Sequence, residues 1–115
     1  MWTVEYYGME NGRTPLQEFL DSLDEPMRTK VLWEINVLRD GGNTLTMPYA
    51  RYMKDGIYEL RISYTSNIAR AFYFFYVGNK IIITNGFIKK AQKTPPEELK
   101  KAKKYKLDYE RRCAR

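Results

Sequence analysis

Arg61 and Arg70 are the residues whose setting points most directly to chemistry. Arg70 stands inside the apolar run Ala69-Arg70-Ala71-Phe72-Tyr73, and an arginine there must be paired or must face a cleft. Arg61 belongs to Glu59-Leu60-Arg61, where the alternation of a strand puts two opposite charges on one face. A turn centred near Ser66 separates the two arginines, so they can sit close across a hairpin. Two arginines on one open face repel each other unless an anion lies between them. Lys89 and Lys90 follow directly on a third apolar run and would complete a four-cation cup. Such a cup binds a phosphate-like oxyanion and stabilises charge developing on it. The blander readings are an Arg70–Glu59 pair, a surface Glu59–Arg61 pair worth little, and ordinary loop lysines at 89 and 90.

The elements that must hold these residues are marked by periodicity and turn chemistry. Trp2 to Tyr7 alternates as a strand. Thr14-Pro15-Leu16-Gln17 has the form of a capped helix start, and Leu16, Phe19, Leu20 and Leu23 follow as one apolar stripe. Asp24-Glu25-Pro26 ends that helix and begins another, striped by Val31, Ile35 and Leu38 and closed by Gly41-Gly42-Asn43. The short connection predicts an antiparallel helical hairpin. Ile57 to Tyr64 then alternates, with Tyr58, Leu60, Ile62 and Tyr64 on one face and Ile57, Glu59, Arg61 and Ser63 on the other. Ile68 to Val77 and Lys80 to Phe87 read as two further strands, and short loops predict an antiparallel meander. Thr94-Pro95-Pro96-Glu97 starts a last helix, with Thr94 as its cap. The expected fold is α+β: a small antiparallel sheet in the order β-α-α-β-β-β-α, packed against the N-terminal helical hairpin, as one domain over residues 1–115.

Composition narrows the function. The chain has 115 residues and a formal net charge of +6. From Phe87 onward there are eleven Lys or Arg against four Asp or Glu, while the remainder carries nine against ten. The whole excess therefore lies in the last quarter, a footprint for a polyanion such as nucleic acid, RNA before DNA; a solvated lysine-rich helix would look the same. There is no histidine, and Cys113 is the only cysteine. That removes the common zinc frameworks, an internal disulfide and an activated catalytic thiol. Nucleotide-cradling glycine motifs are absent. No apolar run reaches the roughly 18 residues of a membrane span, and the first residues lack the pattern of a signal peptide, so a cytoplasmic location is expected. Most of the ten tyrosines must be core, with a few available to stack on unpaired bases.

Read in order, Pro15-Leu16-Gln17-Glu18-Phe19-Leu20, Gly56-Ile57-Tyr58-Glu59-Leu60-Arg61, Arg70 and Phe87-Ile88-Lys89-Lys90-Ala91-Gln92-Lys93-Thr94-Pro95, with Glu98 and Ala102 in the last helix, resemble the HigB branch of the RelE/ParE toxin superfamily, including its phage-derived members. The resemblance implies a RelE-like fold and the toxin of a type II toxin–antitoxin system. It implies metal-independent, cofactor-free endoribonuclease cleavage of mRNA, associated with the ribosome. Its partner would be a HigA-type helix-turn-helix antitoxin, joined in a heterotetramer. By position, Arg61, Arg70, Lys89 and Lys90 fall on the family's phosphate-binding and catalytic cations; the candidates for moving the proton are Lys89 or Lys90 and, as the other base, Glu59 or a nearby tyrosine. Tyr58, Phe87, Lys93, Lys100, Lys103 and Lys104 are the expected RNA-contacting residues. Asn85 stands where many relatives carry histidine, Ala91 where threonine is common, and Arg70 lies between two alanines rather than beside an aromatic residue. Two rival readings attach to this pattern: a ParE-like inhibitor of DNA gyrase and a non-catalytic RNA-binding module.

Overall fold

The computed structural model describes residues 1–90 and 92–114; Ala91, part of the lysine-rich motif, lies outside them. The fold is α+β, with a five-stranded mixed sheet and three α-helices. The strands are β1 (Thr3–Tyr6), β2 (Ala50–Lys54), β3 (Ile57–Tyr64), β4 (Asn67–Tyr76) and β5 (Lys80–Ile88); the helices are α1 (Pro15–Asp21), α2 (Glu25–Gly41) and α3 (Pro96–Cys113). In the sheet the strands stand in the order β1-β5-β4-β3-β2.

Two features correct the expected sheet. β1 pairs with β5 in parallel, with Val4 beside Ile81 and Tyr6 beside Ile83, so the sheet is mixed rather than antiparallel. A strand of four residues carries no signal for its direction. The connection decides it, because β1 reaches the free edge of β5 only after both helices and three strands have intervened. The second addition is β2, an edge strand paired antiparallel with β3. Its side chains are mostly exposed, so the burial alternation that marks β3 is missing there. Asp55 and Gly56 join β2 to β3 with φ of 55° and 79°, the positive-φ pair that a two-residue hairpin of right-handed twist requires.

The expected N-terminal helical hairpin is also corrected. α1 lies chiefly over β5 and α2 over β3, and the two helices touch each other little. Each apolar stripe finds the sheet a larger surface than the other helix. Leu16, Leu20, Val31, Ile35 and Leu38 pack on Leu60, Ile62, Ala69, Ala71, Tyr73, Ile81 and Ile83, and each fully buried aliphatic side chain contributes about 1.5–3 kcal/mol. α1 can approach β5 closely because Gly86 has no side chain; a Cβ there would lie 2.5 Å from the ring of Phe19.

The opposite face of the sheet is covered by α3, but only in part. Leu99 and Ala102 meet Ile57, Phe72 and Phe87, while Tyr105 and Tyr109 meet Tyr7, Phe74 and Ile82. Along β4 this cover ends at Phe72, and the next side chain on that face is Arg70. The sheet is thus a layer between two helical layers, with one corner of its α3 face left open.

Candidate functional site

The open corner is built by three neighbouring strands and the segment entering α3. Strand alternation puts Glu59 and Arg61 of β3 on this face. The β3–β4 register sets Arg61 opposite Arg70 and Glu59 opposite Phe72, and the β2–β3 register sets Arg51 opposite Glu59. Arg70 itself stands opposite Phe87 of β5. One buried carboxylate therefore has arginines on its own strand and on both neighbours.

Glu59 is fully buried. Its Oε2 accepts a hydrogen bond from the hydroxyl of Thr94 at 2.7 Å. Its Oε1 lies 3.7 Å from Nη2 of Arg51, 3.5 Å from Nη1 of Arg61 and 3.6 Å from Nε of Arg70. These are ion-pair distances, not hydrogen bonds: among the described residues, Oε1 of Glu59 and Nε of Arg70 are buried with no hydrogen-bond partner. One negative charge among three positive ones leaves two uncompensated, and the guanidinium donors are not consumed by the carboxylate. A low-dielectric cluster of this kind holds out hydrogen-bond donors and net positive charge to an external oxyanion.

Burial, then repulsion from Arg61, draws the Arg70 guanidinium below its usual range, with Glu59 pulling the other way. Arg70 is fixed further by donating from Nη1 to the carbonyl of Ala69 at 2.9 Å. Lys89 is drawn down as well, first by burial and next by the charge of Arg70. Its backbone N–H donates to the carbonyl of Ile68 at 2.8 Å, which ties the end of β5 to the β3–β4 hairpin. An open groove of about 890 Å³ lies at this junction, lined by Ser66, Asn67, Ile68, Arg70, Ile88, Lys89, Lys90 and Gln92.

The predicted residues divide between this corner and other places. Arg61, Arg70 and Glu59 come together, and Lys89 and Lys90 share the groove with Arg70. Glu59 is wholly buried behind the arginines, with Oε2 accepting from Thr94 and Oε1 within ion-pair reach of all three guanidinium groups. Tyr58 is on the other face of the sheet, its ring stacked on Tyr73 at 5.5 Å and edge-on to Phe75 at 5.2 Å. Phe87 is buried against Phe72, with ring centres 5.6 Å apart, so it is core. Lys93 is exposed between the groove and α3. Lys100 stands 3.9 Å from Glu97 and Lys103 3.0 Å from Asp55; Lys104 borders a different groove beside Tyr7, Tyr105 and Leu107.

Two residues of the corner escaped the sequence reading. Arg51 was hidden because β2 was not read as a strand, although Asp55-Gly56 is a strong hairpin signal that demands a strand before it. Thr94 reads as a helix cap, but Pro95 occupies the cap position and the threonine hydroxyl turns to Glu59. Asn85 has a structural duty: its Oδ1 accepts from Thr84 at 2.7 Å, and its Nδ2 donates to the carbonyl of Glu98 at 3.2 Å, pinning β5 to the first turn of α3.

The model of the family described as "Phage derived protein Gp49-like (DUF891)" matches residues 18–106. That span contains every residue of the arginine corner. No curated protein matches the chain.

Proposed function

Since the chain belongs to the phage-derived Gp49-like family, which is RelE-like and toxin-like in character, we propose that it is the toxin of a toxin–antitoxin pair and an endoribonuclease acting on mRNA. The observation that carries this reading is the arginine cluster around one buried carboxylate, opening onto a groove that also holds Lys89 and Lys90. RNA supplies its own nucleophile, so the protein needs chiefly to bind, orient and neutralise.

In the proposed reaction the 2′-oxygen of one nucleotide attacks the adjacent phosphorus. A 2′-O–P bond forms, the P–O5′ bond breaks, the 2′-hydroxyl proton leaves to a base and the departing 5′-oxygen gains a proton. The products are a 2′,3′-cyclic phosphate and a 5′-hydroxyl end. Arg61 and Arg70 hold the phosphate and stabilise the charge that builds on its oxygens, the dominant contribution in sites of this kind. Lys89 is the proton carrier: its lowered affinity for a proton brings it nearer to working as a base at neutral pH. Glu59 acts through the arginines as a positioning residue. The cognate partner in this reading is a HigA-type antitoxin, which silences the protein until it is lost.

Expression of the wild-type chain should arrest growth and deplete mRNA, while R61Q and R70Q chains that accumulate in folded form should do neither. Arrest with intact mRNA and inhibited gyrase supercoiling would replace this reading with the ParE-like one.

A further inference from the structure

The reaction centre described above uses Arg61 and Arg70, yet the cluster holds a third arginine. We infer that Arg51 binds a second RNA phosphate, next to the one undergoing attack, so that the RNA strand crosses the sheet from the β5 end to the β2 edge. The inference rests on the ribonuclease reading and adds a subsite and a direction to it.

Three observations support it. The first is placement: Arg51, Arg61, Arg70 and Lys89 fall on β2, β3, β4 and just beyond β5, four successive positions across the sheet. The three guanidinium groups converge on one carboxylate oxygen at 3.5 to 3.7 Å, and Arg51 approaches it from the edge strand, opposite Glu59 rather than Arg61, so a phosphate held by Arg51 lies beside the one gripped by Arg61 and Arg70. The second is charge: Oε1 of Glu59 is shared by all three arginines, with Arg51 the most distant at 3.7 Å. A half-exposed arginine sharing one oxygen at that range gains little from the pair. The third is exposure: the side chain of Arg51 is 47% accessible, against 24% for Arg61 and 5% for Arg70. The buried Arg70 and the less exposed Arg61 are suited to a transition state, the exposed Arg51 to holding a strand. Its only other polar neighbour among the described residues is the Met53 sulfur at 3.6 Å, a weak acceptor that leaves the guanidinium fork free.

The test is equilibrium binding of a single-stranded RNA of about twelve nucleotides, made uncleavable by 2′-fluoro groups, as a function of salt. Each phosphate contact contributes about 0.7 to the slope of log affinity against log salt for single strands. R51Q should lower that slope by about 0.7 and weaken binding about tenfold at low salt, for any RNA sequence, whereas R51K should keep the wild-type slope. Wild-type protein should also lose affinity when one phosphate beside the cleavage position is replaced by a neutral methylphosphonate. R51Q should lose nothing further on that replacement, and the wild-type arm reads out even if R51Q does not fold. A wild-type slope in folded R51Q, or wild-type indifference to every such replacement, overturns the Arg51 subsite and leaves the ribonuclease reading standing. Failure of the wild-type chain to bind the RNA overturns the Arg51 subsite, and joined to intact mRNA on translating ribosomes it overturns the ribonuclease reading as well.

Discussion

The hydroxyl of Thr94 donates to Oε2 of Glu59 across 2.7 Å, joining the entry of α3 to the middle of the sheet. This one bond fixes the carboxylate so that its other oxygen faces Arg51, Arg61 and Arg70. It also anchors the segment that carries Lys89 and Lys90 against the strands that carry the arginines.

T94V removes the donor while nearly keeping the shape. The buried Oε2 is then unpaired, which costs about 1–3 kcal/mol, read as a lower midpoint in denaturant unfolding with an unchanged slope. RNA cleavage should fall by roughly tenfold or more, because small misplacements of charge-stabilising groups are costly. T94S restores the donor and should recover both properties. A T94V protein as stable and active as wild type would show that the bond has no such duty.

Lys89 offers a test with opposite signs. Arg70 pushes its proton affinity down and Glu59 pushes it up. Removing the Arg70 charge with R70Q should raise the Lys89 pKa toward the usual lysine range, and E59Q should lower it further. NMR titration of the lysine side-chain signals measures both. E59Q should also destabilise the fold by about 3–5 kcal/mol, since it leaves the buried Arg70 without its counter-charge. Shifts of the same sign in both variants would contradict the electrostatic picture.

The far end of α3 supplies a pH-dependent clamp. Asp108 accepts from the hydroxyl of Tyr7 and pairs with Arg111 and Arg112 at 2.7 and 2.8 Å. The hydrogen bond from Tyr7, aided by the two arginines, holds its carboxyl below the usual 3.8. A depressed carboxylate contributes stability that is fully present above its unfolded value and lost as pH falls through the folded one. D108N should therefore melt below wild type at neutral pH, with the gap steady down to about pH 4.5 and closing beneath it. A gap that persists unchanged into strong acid would assign the effect to packing instead.

Packing around Gly86 gives a prediction free of charge effects. G86A places a methyl 2.5 Å from the Phe19 ring. Phe19 must shift to make room, so a loss of about 1–3 kcal/mol is expected, recovered in part by G86A/F19L. A neutral G86A in thermal melts would mean that α1 is free to move away from β5.

What the sequence made legible follows from where its signals are strong. β3 declared its faces because Leu60 and Ile62 are buried under α2 while Glu59 and Arg61 alternate with them, and that alternation led directly to the arginine corner. α2 declared its start because Asp24 caps it through the Met27 N–H at 3.0 Å. β2 stayed hidden because an edge strand with exposed side chains has no apolar period, and Arg51 stayed hidden with it. Thr94 misled because the same Thr-Pro-Pro-Glu string describes a helix start whether or not the hydroxyl serves as the cap. The lysines of α3 suggested a phosphate-holding surface through their number. Four of them, Lys100, Lys101, Lys103 and Lys106, are paired with Glu97, Glu98, Asp55 and Glu110, a cancellation that depends on side-chain geometry and on the β2–β3 turn.

The most direct test of the central claim is the chemistry of the cut. Purified chain is incubated with a defined mRNA, free and on translating ribosomes, in excess chelator, and the new ends are mapped. The wild type should yield 2′,3′-cyclic phosphate and 5′-hydroxyl ends, and folded R61Q none. Intact RNA under both conditions, or equal cleavage by wild type and folded R61Q, would contradict it.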